Sequence, residues 1–141
     1  MPKLSTNSLS ATTKPVDEKI TINLGCVDLG QIDLLVQEGF YANRTDLIRT
    51  SIRNQLATHG EIVRQAIRRR TLVLGIQHFS QADLLALQAA GEKLHIRVLG
   101  LASIAPEVSA ELALATIESI TVLGALHASP AVKAALRQRT S

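Results

Sequence analysis

Residues 18–25, EKITINLG, alternate between apolar and polar positions, with Ile20, Ile22 and Leu24 set against Lys19, Thr21 and Asn23. A period of two predicts a β-strand with one buried and one exposed face. The pattern then turns helical. In CVDLGQIDLLVQEGF, Val27, Ile32, Leu35, Val36 and Phe40 recur near helical spacing. Gly39 offers a stop there, because it accepts the left-handed closing conformation without steric cost. YANRTDLIRTSIRNQLATH predicts a second helix, with Asn43 as N-cap and Asp46 completing an approximate capping box. Its apolar stripe is Leu47, Ile48, Ile52 and Leu56, and Arg44, Arg49 and Arg53 lie largely off it. GEIVRQAIRRR predicts a helical connector that either continues past Gly60 or restarts there.

The second half repeats itself. LVLG at 72–75, RVLG at 97–100 and TVLG at 121–124 recur at intervals of 25 and 24 residues. Six positions after each glycine stand Gln81, Pro106 and Pro130, and twelve after it Leu87, Leu112 and Leu136. Proline suits the first turn of a helix, so each unit reads as a short buried strand, a turn and a helix. The three helices are expected in FSQADLLALQAAGEK, PEVSAELALATIES and SPAVKAALRQR. Three βα units of one length imply stacked parallel strands with helices outside, a short α/β solenoid. The fully apolar strands imply a sheet covered on both sides.

A lone alternating strand followed by two helices has no mate in its own chain. The economical solution is an antiparallel pair formed with a second copy, four helices closing a shared core beneath it. Ile20, Ile22 and Leu24 then point inward and Lys19, Thr21 and Asn23 outward. A two-stranded ribbon fits the major groove of B-DNA, where amides, hydroxyls and ammonium groups reach base edges. The stretch KITINLG…QIDLLVQEGFYANRTDLIRTSIRNQL resembles the ribbon-helix-helix DNA-binding domain of the CopG/Arc/MetJ superfamily, without a gap over about residues 18–57. The resemblance implies base contacts from Lys19, Thr21 and Asn23. It also implies phosphate contacts from Asn43, Arg44 and Thr45 at the start of the second helix. Free N–H groups and the positive end of a helix dipole favour an anion at such a place. Gly25 departs from the proline that many members carry there.

Charge sharpens this picture. The chain of 141 residues has a formal net charge of +3. Between Arg44 and Arg70 stand seven arginines against two acids, Asp46 and Glu61. The positive field therefore lies in the first half. Arg49 and Arg53 also suit a plain solvated helix face, and Arg68–Arg70 a charged helix end. A single cysteine, Cys26, excludes an intrachain disulfide and suits a reducing compartment. No apolar run approaches the roughly 20 residues of a membrane span. The first residues lack the apolar core of a secretory leader, so a cytoplasmic location is expected.

No nucleophile–base constellation is visible, and an enzyme is not expected; nor is any cofactor. His78 and His127 share one place in the first and third repeats, with Ser103 between them, about 9–10 Å apart at the backbone if the strands stack. That is long for a shared ion, and no Cys-x-x-Cys or His-x-x-x-His pattern is present, so no metal is expected.

The expected organisation is a flexible arm over 1–17 and an α+β ribbon-helix-helix domain over 18–58 forming an intertwined homodimer. A basic helical connector spans 59–70, and a small α/β domain of three βα repeats spans 71–141. The expected function is a sequence-specific DNA-binding regulator, a repressor, working on double-stranded DNA without a membrane. Residues 71–141 are expected to build higher oligomers. The alternatives are an antitoxin that masks a toxin with this segment, and a self-assembling scaffold.

Overall fold

The computed structural model describes residues 17–141; the expected arm, up to residue 16, lies outside the described residues. Residues 18–25 form no backbone ladder with any described segment, so no strand is assigned to the alternating stretch in the single chain. Gly25 leads into α1 (Cys26–Gln37). That helix ends in a Schellman motif. Gly39, at φ +88°, donates to the Val36 carbonyl, and Phe40 donates to that of Leu35. Helix α2 (Arg44–Thr58) follows, and α3 (Gly60–Arg70) restarts after the single residue His59. Arg68, Arg69 and Arg70 fill the last turn of α3, where cations complement the helix dipole.

The second half is a three-stranded parallel sheet in the order β1 (Val73–Phe79), β2 (Leu94–Ile104), β3 (Ile117–His127). Helices α4 (Gln81–Ala90), α5 (Ala110–Thr116) and α6 (Pro130–Ala135) follow the strands in turn, and a 3₁₀ turn covers Arg137–Arg139. Gly75 pairs with Gly100 and Gly100 with Gly124, so the recurring glycines form one row across the sheet. The row has a steric cause. A Cβ on Gly100 would stand 2.1 Å from the Gly75 oxygen, and one on Gly124 2.1 Å from the Gly100 oxygen.

The helices begin where capping side chains stand. Ser80 and Asp83 form a full capping box on α4, and Ser109 and Ser129 accept from the backbone of Leu112 and Val132. Pro130 occupies the first turn of α6, as expected. Pro106 does not start α5. It sits in a tight turn closed by Val108 donating to the Ala105 carbonyl, and Val108 and Ala105 are both buried there. The expected helix through Ser119 also stops early. Ile117 already pairs with Leu94, and with Ile120 it enters the core as strand. Strands β2 and β3 therefore reach eleven residues each, longer than the repeated motif.

Among the described residues, all fourteen buried apolar side chains lie between Leu72 and Leu136. Leu84, Leu112, Ala113, Val132 and Leu136 of the helical side pack on Ile96, Val98, Ala102 and Ile120 of the sheet. Burying a side chain of this size contributes about 1.5–3 kcal/mol, so this half carries its own core, whereas α1, α2 and α3 bury no residue. Leu84 of α4, Leu112 of α5 and Val132 of α6 share this one core, so the three helices lie on one face of the sheet, as crossovers of a single hand require. Contrary to the expectation of a sheet covered on both sides, the other face is open among the described residues. Leu74, Ile76 and Leu123 remain 68%, 62% and 42% exposed on it.

Candidate nucleic-acid interface

The alternation of residues 18–25 predicts a strand, but in the single chain these residues carry no assigned helix or strand, and only Gly25 at their end has a stated extended conformation. Lys19, Thr21 and Asn23 are all exposed. So are the residues between them, with Ile20, Ile22 and Leu24 at 75%, 58% and 43%. Val27 and Leu34 on α1, Phe40 just after it, and Ile52 and Leu56 on α2 add to the same uncovered apolar set.

The second cluster is the start of α2. Asn43 holds an extended conformation, and its Oδ1 accepts from the Asp46 backbone N–H at 2.8 Å. Asp46 reaches back to the N–H of Ala42 at 3.0 Å, one residue earlier than a strict capping box. Arg44 and Thr45 are the first two helical residues, whose N–H groups have no acceptor within a helix. The Arg44 side chain is not free: its Nε and Nη2 both donate to the Asp33 carboxylate at 2.8 Å, a bidentate tie between α1 and α2. That hydrogen bond lowers the Asp33 pKa from its ordinary value, and Asp33 raises that of Arg44. A phosphate at this helix start would compete with Asp33 for the guanidinium. The eleven-residue spacing of the pair carries no periodic signal, so sequence reasoning missed it.

Arg49 and Arg53 lie on α2 beside Asp17, Glu18 and Ile52, lining a shallow cleft of about 410 Å³. Arg64 and Arg68 share Glu61 at 2.9 and 3.9 Å. These basic residues are thus partly answered by local acids.

The histidines of the repeats occupy one row, His78 beside Ser103 beside His127. His78 Nδ1 and Ser103 Oγ share a hydrogen bond of 3.1 Å, and His127 Nε2 is held by Glu18 at 2.6 Å. Glu18 precedes the alternating stretch, so this contact joins the two halves of the chain. Among the described residues no group of three or more His, Cys, Asp or Glu is placed to hold a metal ion. Cys26 is exposed at the start of α1. No helix among the described residues is long and apolar enough to cross a membrane.

An uncovered alternating segment, two short helices and a capped, cation-bearing helix start define the ribbon-helix-helix class. The profile of the Ribbon-Helix-Helix transcriptional regulator family matches residues 15–133, and the chain belongs to that family. Its type of function is DNA-binding regulation of transcription. The match extends well beyond residues 18–57 and takes in β1, β2 and β3, so the sheet is part of the family's unit. No curated protein and no solved structure matches the chain.

Proposed function

We propose that the protein is a homodimeric, sequence-specific repressor that inserts an antiparallel ribbon, one strand from each copy, into the major groove. One observation carries this reading. Ile20, Ile22 and Leu24 stand exposed in a segment with no partner in its own chain among the described residues, and none of the three following helices buries a residue. A second copy pairing through residues 18–24 covers those side chains and turns Lys19, Thr21 and Asn23 together toward base edges. Asn43, Arg44 and Thr45 then face the phosphates on either side, with Arg44 exchanging Asp33 for phosphate. The βα units of residues 71–141 act as a short solenoid that assembles dimers further. The protein works in the cytoplasm and catalyses no reaction.

Selection of bound sequences from random duplex DNA tests this with the full chain. An enriched motif of two related half-sites is expected. Replacing Lys19, Thr21 and Asn23 together by alanine should preserve the fold and abolish the preference, which for specific sites is typically ~4–10 kcal/mol. A triple variant that still selects the same motif removes the ribbon from the reading.

A further inference from the structure

Alternation along the strands sorts the sheet into two faces. Ile96, Val98, Ala102 and Ile104 of β2 enter the core beneath the helices. Leu99 and Leu101 point to the opposite side. Their partners in register are Leu74 and Ile76 on β1 and Leu123 and Ala125 on β3. Two adjacent rows of three aliphatic residues thus lie on a face that bears no helix among the described residues. Arg97 and His95 stand at one end of it and His78, Ser103 and His127 at the other, where Glu18 meets His127 at 2.6 Å. Parallel sheets are normally covered on both sides.

We propose that this face packs against the same face of a second copy, sheet on sheet, with the strands of the two copies running antiparallel. This rests on the ribbon dimer proposed above. The size of the patch chooses the occupant. Three strands overlapping for about seven residues offer on the order of 300 Å² per copy. Two such faces bury well under the ~1,200 Å² at which standard interfaces between free proteins begin. The patch is too small to capture a free protein, and it suffices for a partner held nearby. Pairing through the ribbon holds a second copy at an effective concentration in the millimolar range. The antiparallel arrangement follows from charge: it sets Arg97 of each copy toward the end of the other where the half-exposed Glu18 carboxylate meets His127, whereas a parallel one stacks arginine on arginine. Within the pair, Leu99 and Leu101 lie nearest the two-fold axis, with the sheets about 10 Å apart.

The test is cross-linking of the full-length protein with a short bismaleimide, in a Cys26→Ser background with Leu99→Cys on the face. Gln88→Cys, exposed on α4, is the control, and the mass is measured by sedimentation on the same samples. The expected result is a mass of at least a dimer, and several-fold more cross-linked dimer from Leu99→Cys than from Gln88→Cys. Adding Leu74→Lys, a substitution at a side chain already exposed in the single chain, should reduce the Leu99→Cys yield several-fold while the ribbon still holds the dimer mass. Equal yields from the two cysteines with a dimer mass overturn the face and spare the ribbon. A monomer mass overturns the ribbon reading and the face with it. Cross-linking of Leu99→Cys mainly to a different protein assigns the face to that partner and also overturns the proposal.

Discussion

Replacing Gly100 by alanine tests the glycine row, and Gly75→Ala supplies the internal control. Both residues have φ in the region that L side chains avoid, +140° and +128°. Strain of that kind costs about 1–3 kcal/mol at either site. Their surroundings differ. A Cβ on Gly75 meets nothing within 4 Å, whereas one on Gly100 lands 2.1 Å from the Gly75 oxygen. Since real Cβ contacts stay above 3.0 Å, β1 must withdraw from β2 by about 1 Å. Loosening even two ladder hydrogen bonds adds about 1–3 kcal/mol at ~0.5–1.5 kcal/mol each. Gly100→Ala should therefore lose roughly 2–6 kcal/mol, and always more than Gly75→Ala. Urea unfolding of both variants reads this as a larger drop in midpoint for Gly100→Ala at unchanged slope. Equal midpoints would refute the reasoning, because only strain and not close approach would then require glycine.

Asp33→Asn should release Arg44 for phosphate and tighten binding to all duplexes. Arg44→Ala should weaken binding uniformly and lower the salt dependence by about one phosphate contact per half-site, as titration over a range of salt concentrations would show. The Asp83 carboxylate accepts from the Ser80 backbone N–H, which holds its pKa below the ordinary 3.8; the Ser80 side chain contributes next, and His78 adds a smaller electrostatic pull. A carboxylate with a depressed folded pKa stabilises fully above its unfolded value of about 3.9 and stops doing so as pH falls through the folded one. Asp83→Asn should therefore be less stable than the parent near neutral pH, with the gap closing below about pH 4 in urea unfolding. A gap independent of pH would remove the ionised cap from the account.

The sequence reveals local devices most directly, because each rests on residues a few positions apart. Asn43 with Asp46, the Gly39 stop, Pro130 at a helix start and the 24–25-residue glycine spacing all appear in the structure where their chemistry places them. Pro106 misled because proline serves the second position of a tight turn as readily as the first turn of a helix. The turn won there by burying Ala105 and Val108. At the candidate interface, Lys19, Thr21 and Asn23 could be picked out because alternation is a local pattern. The bidentate Asp33–Arg44 pair could not, since only the folding of α1 onto α2 brings the two together.

The amino-acid sequence alone determined the succession of the helices and the three repeated strands, the caps at Asn43, Gly39 and Pro130 and the alternation of residues 18–25, since backbone sterics and neighbouring side chains act over one or two turns. Only the tertiary structure decided that Glu18 meets His127, that three glycines approach one another's carbonyls, and that one face of the sheet stays open. Leu74, Leu99 and Leu123 read as core residues in the sequence. Whether such a side chain is covered depends on which side the crossover helices take, and that is a property of the whole chain path rather than of any segment.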